Sequence, residues 1–175
     1  MFPVDGVVAY VGLGSNLDEP VRQVSDGLAA LGDLPRTCVI ARSPLYRSVP
    51  MGPQDQPDYV NAVAALSTAL APMELLEKVC EVEDAHGRDR EGEKWGLRTL
   101  DLDILLFGDL ISEDPRLLLP HPGLTKRNFV VYPLLRVAPE LVLPDGRALK
   151  AVARGLTTDG LEEMKDEAVS ERRLA

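Results

Sequence analysis

Two aspartates stand two residues apart in the run Arg98-Thr99-Leu100-Asp101-Leu102-Asp103-Ile104-Leu105-Leu106-Phe107. The run alternates as a strand does, and side chains two apart on a strand share a face. Leu100, Leu102, Ile104 and Leu106 then fall on one apolar side, and Asp101, Asp103, Leu105 and Phe107 on the other. The two carboxylates are spaced by roughly 6.6 Å along the backbone, at about 3.3 Å per residue. They can converge on hard cations, and two such ions about 4 Å apart clamp a phosphoryl group in transfer. The plainer reading is a pair of solvated acids near a strand end. Against it, Asp is disfavoured in strands and occurs here twice on one face. Just upstream, Arg88 to Arg98 is charged, punctuated by glycine and holds the single Trp of the chain, Trp95. Its plain reading is a solvated loop. Four cations feeding straight into the aspartate strand also suit a lid that closes over phosphates. Arg88, Arg90 and Arg98 are the better bidentate partners, and Lys94 is the fourth cation.

These groups need a scaffold. Val7 to Gly14 reads as a first strand. Gly12-x-Gly14 hints at a dinucleotide loop, but Leu17 stands where a third glycine is needed, so a tight strand-to-helix turn is the preferred meaning. Asp18-Glu19-Pro20 opens a helix with the stripe Val21, Val24, Leu28 and Leu31, stopped by Gly32. Cys38 to Tyr46 forms a second strand, with Pro44 at an edge or bulge. Val49 to Pro57 is a proline-rich loop. Asp58 to Leu70 is a third strand, with Tyr59 and Asn61 on one face at its entrance. Pro72 starts a second helix whose stripe runs Pro72, Leu76, Val79 and then Glu83, a carboxylate in an apolar row that points inward at something. Gly87 ends it, and the aspartate strand follows. Strand, helix, strand, strand, helix, strand is the ferredoxin-like βαββαβ pattern, an α+β fold with an antiparallel sheet and helices packed on it.

After Phe107 the chain makes a short extension, Leu110 to Ser112, and passes the turn Pro120-His121-Pro122-Gly123. A helix is expected over Leu124 to Ala138, kinked or split by Pro133. Leu141 to Ala153 makes a small closing unit, a helical and hairpin extension of the core. One domain is expected over residues 1–156. The acidic then basic tail, 157–175, reads as weak helix or disorder.

At 175 residues the chain is long enough for one real core. Its net charge of −9 argues against nucleic acid or an acidic membrane as a partner. It does not exclude a small anion held by a few arginines. Cys38 and Cys80 form no CxxC pair and read as reduced thiols of a cytoplasmic protein. No apolar run reaches membrane-spanning length.

Four segments in order then resemble the 6-hydroxymethyl-7,8-dihydropterin pyrophosphokinase family of the folate pathway. They are Gly12 to Leu17, Gly52 to Ala62, Trp95 to Leu105 and Leu119 to Phe129. The resemblance spans about Val7 to Leu149. It implies transfer of pyrophosphate from ATP to the pterin hydroxymethyl group, with AMP leaving. It implies that Asp101 and Asp103 bind two Mg²⁺, and that Arg88 and Arg98 close over the phosphates. On the nucleotide side it implies Glu83, Arg90, Trp95, Ile104, His121 and Arg127. On the pterin side it implies Tyr59 and Phe129 as the stacking pair, Asn61 as the amide partner, and the loop of Ser48, Val49 and Met51 against the ring. A flat heteroaromatic ligand needs such a mixture.

Several positions depart from the family pattern. Cys80 stands where Gln is frequent, Lys94 where Arg is, Leu97 where Pro or a small residue is, Leu118 where Thr is, and Pro122 where Tyr is. None removes an aspartate or a loop arginine. Two other classes compete with the transferase. A metal-dependent phosphohydrolase would use the same aspartates without needing Tyr59, Asn61 and Phe129 together. A non-catalytic ferredoxin-like binding domain would need neither the aspartates nor the arginines. A monomer is the default assembly.

Overall fold

A computed structural model describes residues 5–87 and 99–165 of the chain. Five strands and two helices build the body: β1 (Val7–Ser15), α1 (Pro20–Gly32), β2 (Thr37–Arg42), β3 (Tyr46–Ser48), β4 (Tyr59–Thr68), α2 (Pro72–Ala85) and β5 (Asp101–Phe107). Then come α3 (Asn128–Val137), α4 (Leu149–Arg154) and a last strand, β6 (Leu161–Glu163). The sheet runs β5-β1-β4-β3-β6, with β2 also paired to β4, and every pairing is antiparallel. This is the ferredoxin-like α+β arrangement expected from the element order, with β2 and β3 together taking one strand's place.

The central strands are covered on both faces, so β4 and β5 feed two cores. On one side Ala9, Val11 and Leu13 of β1 and Val60, Ala62, Ala64 and Leu66 of β4 meet Val24, Leu28 and Leu31 of α1 and Leu75 and Val79 of α2. On the other, Val63 of β4 and Leu105 of β5 meet Val130, Val131 and Leu134 of α3 and Leu149 of α4. The functional residues gather where the start of α3 meets the ends of β1, β4 and β5.

Several sequence expectations are corrected. The aspartate strand keeps its alternation only as far as Ile104. Val11 faces Ile104 and Tyr10 faces Leu106, so Leu105 is an extra residue, a bulge. Beyond it the faces exchange: Leu106 enters the α3 core and Phe107 the α1/α2 core. The second strand stops at Arg42 and resumes at Tyr46, because Pro44 has no N–H for the ladder. The late helix begins at Asn128 rather than Leu124, and it runs through Pro133 without splitting. Pro133 is buried within it, so packing holds the turn although one backbone hydrogen bond is lost. The tail is neither helix nor disorder over Leu161–Glu163, which pairs with β3. The free edge of β3 supplies the partners that these three residues could not supply for themselves.

Candidate active site

One end of the sheet holds a cavity of about 100 Å³. Its floor is β1, β4 and β5. Asn61 on β4 sits directly opposite Gly14 on β1, and Asp101 is opposite Gly14 on the other side. Asp103 is opposite Gly12. Both glycines line the cavity, as do Asp101, Asp103, Tyr59, Asn61 and Val63. The expectation of a tight turn at Gly12 and Gly14 is therefore corrected. Both are extended residues inside β1, and their missing side chains keep the floor open. The alternation that put the two aspartates on one face also put them beside these glycines.

Two walls rise from this floor. One is the loop that follows β3, contributing Ser48, Val49, Met51 and Gly52. The other is the start of α3, contributing Arg127, Phe129 and Val130. Asn61 is 4% exposed, and its Nδ2 donates to the Ser48 hydroxyl at 2.7 Å. That bond fixes the amide against the first wall. The proline-rich loop behind this wall is held by Asn16, which is 1% exposed. Its Nδ2 donates to Gln56 Oε1 at 2.9 Å and to the Pro57 carbonyl at 3.2 Å. In the second wall, the Arg127 guanidinium carbon lies 6.0 Å from the centroid of the Phe129 ring, a cation–π distance. Gly123 leaves it room, since a Cβ there would stand 2.6 Å from Arg127 Nε.

His121 borders the aspartates from the turn before α3. Its backbone N–H donates to the Leu105 carbonyl at 2.9 Å, and its Nδ1 accepts the Gly123 N–H at 3.0 Å. With Nδ1 used as an acceptor, the neutral ring carries its proton on Nε2. Nε2 lies 3.8 Å from Asp103 Oδ1. Burial lowers the pKa of this ring below the ordinary value, Arg127 pushes the same way, and Asp101 opposes them. The ring is thus held neutral at physiological pH, as a donor aimed at the aspartate face.

Glu83 is the inward carboxylate of the α2 stripe. It is 1% exposed, and its Oε2 accepts the Leu102 N–H at 3.1 Å. β5 is an edge strand, so this bond satisfies an edge donor between the two aspartates. Glu83 does not line the cavity, and neither does Ile104, which packs into the α1/α2 core. The cavity therefore gathers nine of the residues singled out from the sequence: Asp101, Asp103, Ser48, Val49, Met51, Tyr59, Asn61, Arg127 and Phe129. Arg88, Arg90, Trp95 and Arg98 lie outside the described residues, as do Lys94 and Leu97. Gly12, Gly14 and Asn16 are site residues that sequence reasoning missed. Asn16 carried a faint signal, as an amide just after a strand and ahead of a charged helix start.

Among the described residues no group of three or more His, Cys, Asp and Glu side chains is gathered for a metal. The donor set is the aspartate pair alone. That pair fits a small hard cation that keeps several waters and takes its other ligands from a substrate's phosphates.

Comparison with known proteins adds an independent line. Residues 10–139 match the family described as 7,8-dihydro-6-hydroxymethylpterin-pyrophosphokinase (HPPK). A Pseudomonas aeruginosa protein named 2-amino-4-hydroxy-6-hydroxymethyldihydropteridine pyrophosphokinase is 50% identical over 155 residues, covering 89% of this chain and 95% of its own. A Haemophilus influenzae protein of the same name is 45% identical over 148 residues, covering 85% and 92%. Among solved structures, a Plasmodium falciparum HPPK-DHPS chain crystallised with pteroate superposes with a TM-score of 0.69 at 12% identity. It covers 93% of this chain, which spans 48% of that longer one. This likeness bears on the fold alone.

Proposed function

This chain belongs to the 7,8-dihydro-6-hydroxymethylpterin-pyrophosphokinase family, and from that premise we propose a division of labour within its cavity. The protein is an ATP-dependent pyrophosphokinase of folate synthesis. It transfers the pyrophosphoryl group of ATP to the hydroxymethyl group of 6-hydroxymethyl-7,8-dihydropterin. The hydroxymethyl oxygen bonds to the β-phosphorus and its O–H proton is released to water, while the bond from that phosphorus to the α-phosphate oxygen breaks and AMP leaves. Such a transfer asks the protein for positioning and charge neutralisation rather than for a covalent intermediate.

In our reading the pterin lies between the two walls. Tyr59 and Phe129 stack on the ring, and Asn61, fixed by Ser48, meets its polar edge. Val49 and Met51 present their backbone to it. The nucleotide phosphates lie toward Asp101, Asp103, His121 and Arg127. The neutral His121 offers Nε2–H, and Arg127 offers a fixed charge. Asp101 and Asp103 would hold two Mg²⁺, which when bound neutralise the phosphates. Glu83 acts behind them by fixing the Leu102 backbone. Arg88, Arg90, Trp95 and Arg98 complete the nucleotide side in this reading. A monomer is the assembly assumed in this reading. A cytoplasmic setting belongs to the same reading, and no helix among the described residues is long and apolar enough to cross a membrane.

The observation that carries this reading is the meeting of Asp101 and Asp103 with Tyr59, Asn61 and Phe129 around one cavity. A phosphohydrolase needs only the first pair. Asp101→Asn and Asp103→Asn test it, with ATP and pterin affinity followed by calorimetry. Turnover and Mg²⁺-dependent ATP binding should be lost while pterin binding without nucleotide persists. Retained Mg²⁺-dependent ATP binding in both variants would overturn the metal assignment.

A further inference from the structure

The residues after α4 return to the cavity and touch both of its walls. Asn128 stands between Arg127 and Phe129 at the start of α3. Its Nδ2 donates to the carbonyls of Thr157 and Asp159, each at 3.1 Å. Val49 stands in the opposite wall. Its N–H donates to the Gly160 carbonyl at 3.0 Å. One four-residue turn, 157–160, is therefore hydrogen-bonded to the wall carrying Phe129 and to the wall carrying Ser48 and Met51.

Strand β6 anchors this turn from behind. Leu161, Glu162 and Glu163 pair with Ser48, Arg47 and Tyr46, and the Met164 N–H donates to the Leu45 carbonyl at 2.8 Å. Glu163 pairs with Arg136 of α3 and receives the Tyr46 hydroxyl at 3.4 Å. The contact at the turn is close. Gly160 has φ of +72°, and a Cβ on it would stand 2.6 Å from Val49 Cγ2. Only glycine combines that backbone with that approach.

The first wall needs such support. Val49 is 51% exposed and Met51 59%, so little core packing holds either in place. A flat ring gripped between two walls is sensitive to their spacing, and fixing that spacing beforehand lowers the cost of binding.

We infer that the turn 157–160, backed by β6, is a strut that sets the width of the pterin slot, with Asn128 and Gly160 as positioning residues. The inference rests on reading this cavity as the pterin site. The strut's hydrogen bonds reach neither the aspartates nor His121, and of the nucleotide-side residues only Arg127 adjoins Asn128, so its effect falls chiefly on pterin affinity.

The test measures KM and Kd for 6-hydroxymethyl-7,8-dihydropterin and for ATP in the full-length protein. Asn128→Ala and Gly160→Ala should each raise the pterin values about five- to tenfold, a change of ~1–1.4 kcal/mol. ATP values should stay within about twofold of wild type, less than 0.5 kcal/mol. Glu163→Arg should weaken pterin binding in the same way, and the reversal Arg136→Glu with Glu163→Arg should restore it. The restoration separates positioning from general damage and decides the matter if Gly160→Ala fails to fold. Equal weakening of both substrates, or unchanged pterin affinity in Asn128→Ala and Glu163→Arg, overturns the strut. If instead Tyr59→Ala and Phe129→Ala leave pterin affinity unchanged, the site reading fails and not the strut alone.

Discussion

Replacing Gly14 with alanine should weaken pterin binding while leaving the fold as stable as before. Gly14 is extended within β1, directly opposite Asn61. A Cβ on it would stand 3.3 Å from Asn61 Oδ1 and 4.0 Å from Tyr59 Cδ1. The first contact is tight, so the amide must yield by a few tenths of an ångström. The amide is not free to yield, because its Nδ2 is bound to Ser48 Oγ at 2.7 Å. Stability gains and loses by similar amounts. Removing glycine from a strand favours folding by ~0.5–1 kcal/mol, which offsets the crowding. The melting temperature should therefore move by no more than about 4 °C, the shift that 1 kcal/mol produces in a chain of this size. Binding has no such offset. A displaced amide forfeits much of one hydrogen bond to the ring, about 0.5–1.5 kcal/mol, so pterin Kd should rise roughly two- to twelvefold. Calorimetric titration with the pterin and a non-hydrolysable ATP analogue measures the binding, and differential scanning calorimetry the stability. An unchanged pterin Kd would refute the role given to Asn61. A stability loss beyond about 2 kcal/mol would show that the alanine disturbs the core, not the cavity alone.

Other outcomes follow from the same geometry. Glu83→Ala leaves the Leu102 N–H without its acceptor, so urea unfolding should show a loss of ~1–3 kcal/mol, and Glu83→Gln, which keeps a carbonyl, should lose less. His121 holds fewer protons folded than unfolded, because burial and Arg127 lower its pKa. Its contribution to stability is complete above the unfolded value of 6.5 and is lost as pH falls toward the lowered folded value. The fall in urea midpoint between pH 7.5 and pH 5.5 should thus be shallower in His121→Gln; an identical fall would show that the ring is not the group concerned. Asp103→Asn should lower kcat/KM by roughly 10²-fold or more, read from initial rates at saturating Mg²⁺.

What the sequence revealed and what it hid divide along physical lines. A period of two put Asp101 beside Asp103 and Tyr59 beside Asn61, and each pair does share a face. Glu83 in an apolar helical row implied an inward carboxylate, and it is buried. Its partner, a backbone N–H on an edge strand, has no sequence signature. The bulge at Leu105 left no mark either, so the faces of Leu106 and Phe107 were exchanged. Gly12 and Gly14 were ambiguous because glycine serves a turn and an open floor equally well. The tail misled for a related reason. Leu161-Glu162-Glu163 has no apolar run, and it becomes a strand only because β3 offers an edge and Arg136 a charge.

Nucleotide product analysis tests the central claim most directly. The protein is incubated with ATP and Mg²⁺, with and without 6-hydroxymethyl-7,8-dihydropterin, beside Asp103→Asn. The account predicts AMP and the pterin diphosphate only when the pterin is present, and neither in the variant. ADP and free phosphate formed regardless of pterin would contradict it and mark a phosphohydrolase instead.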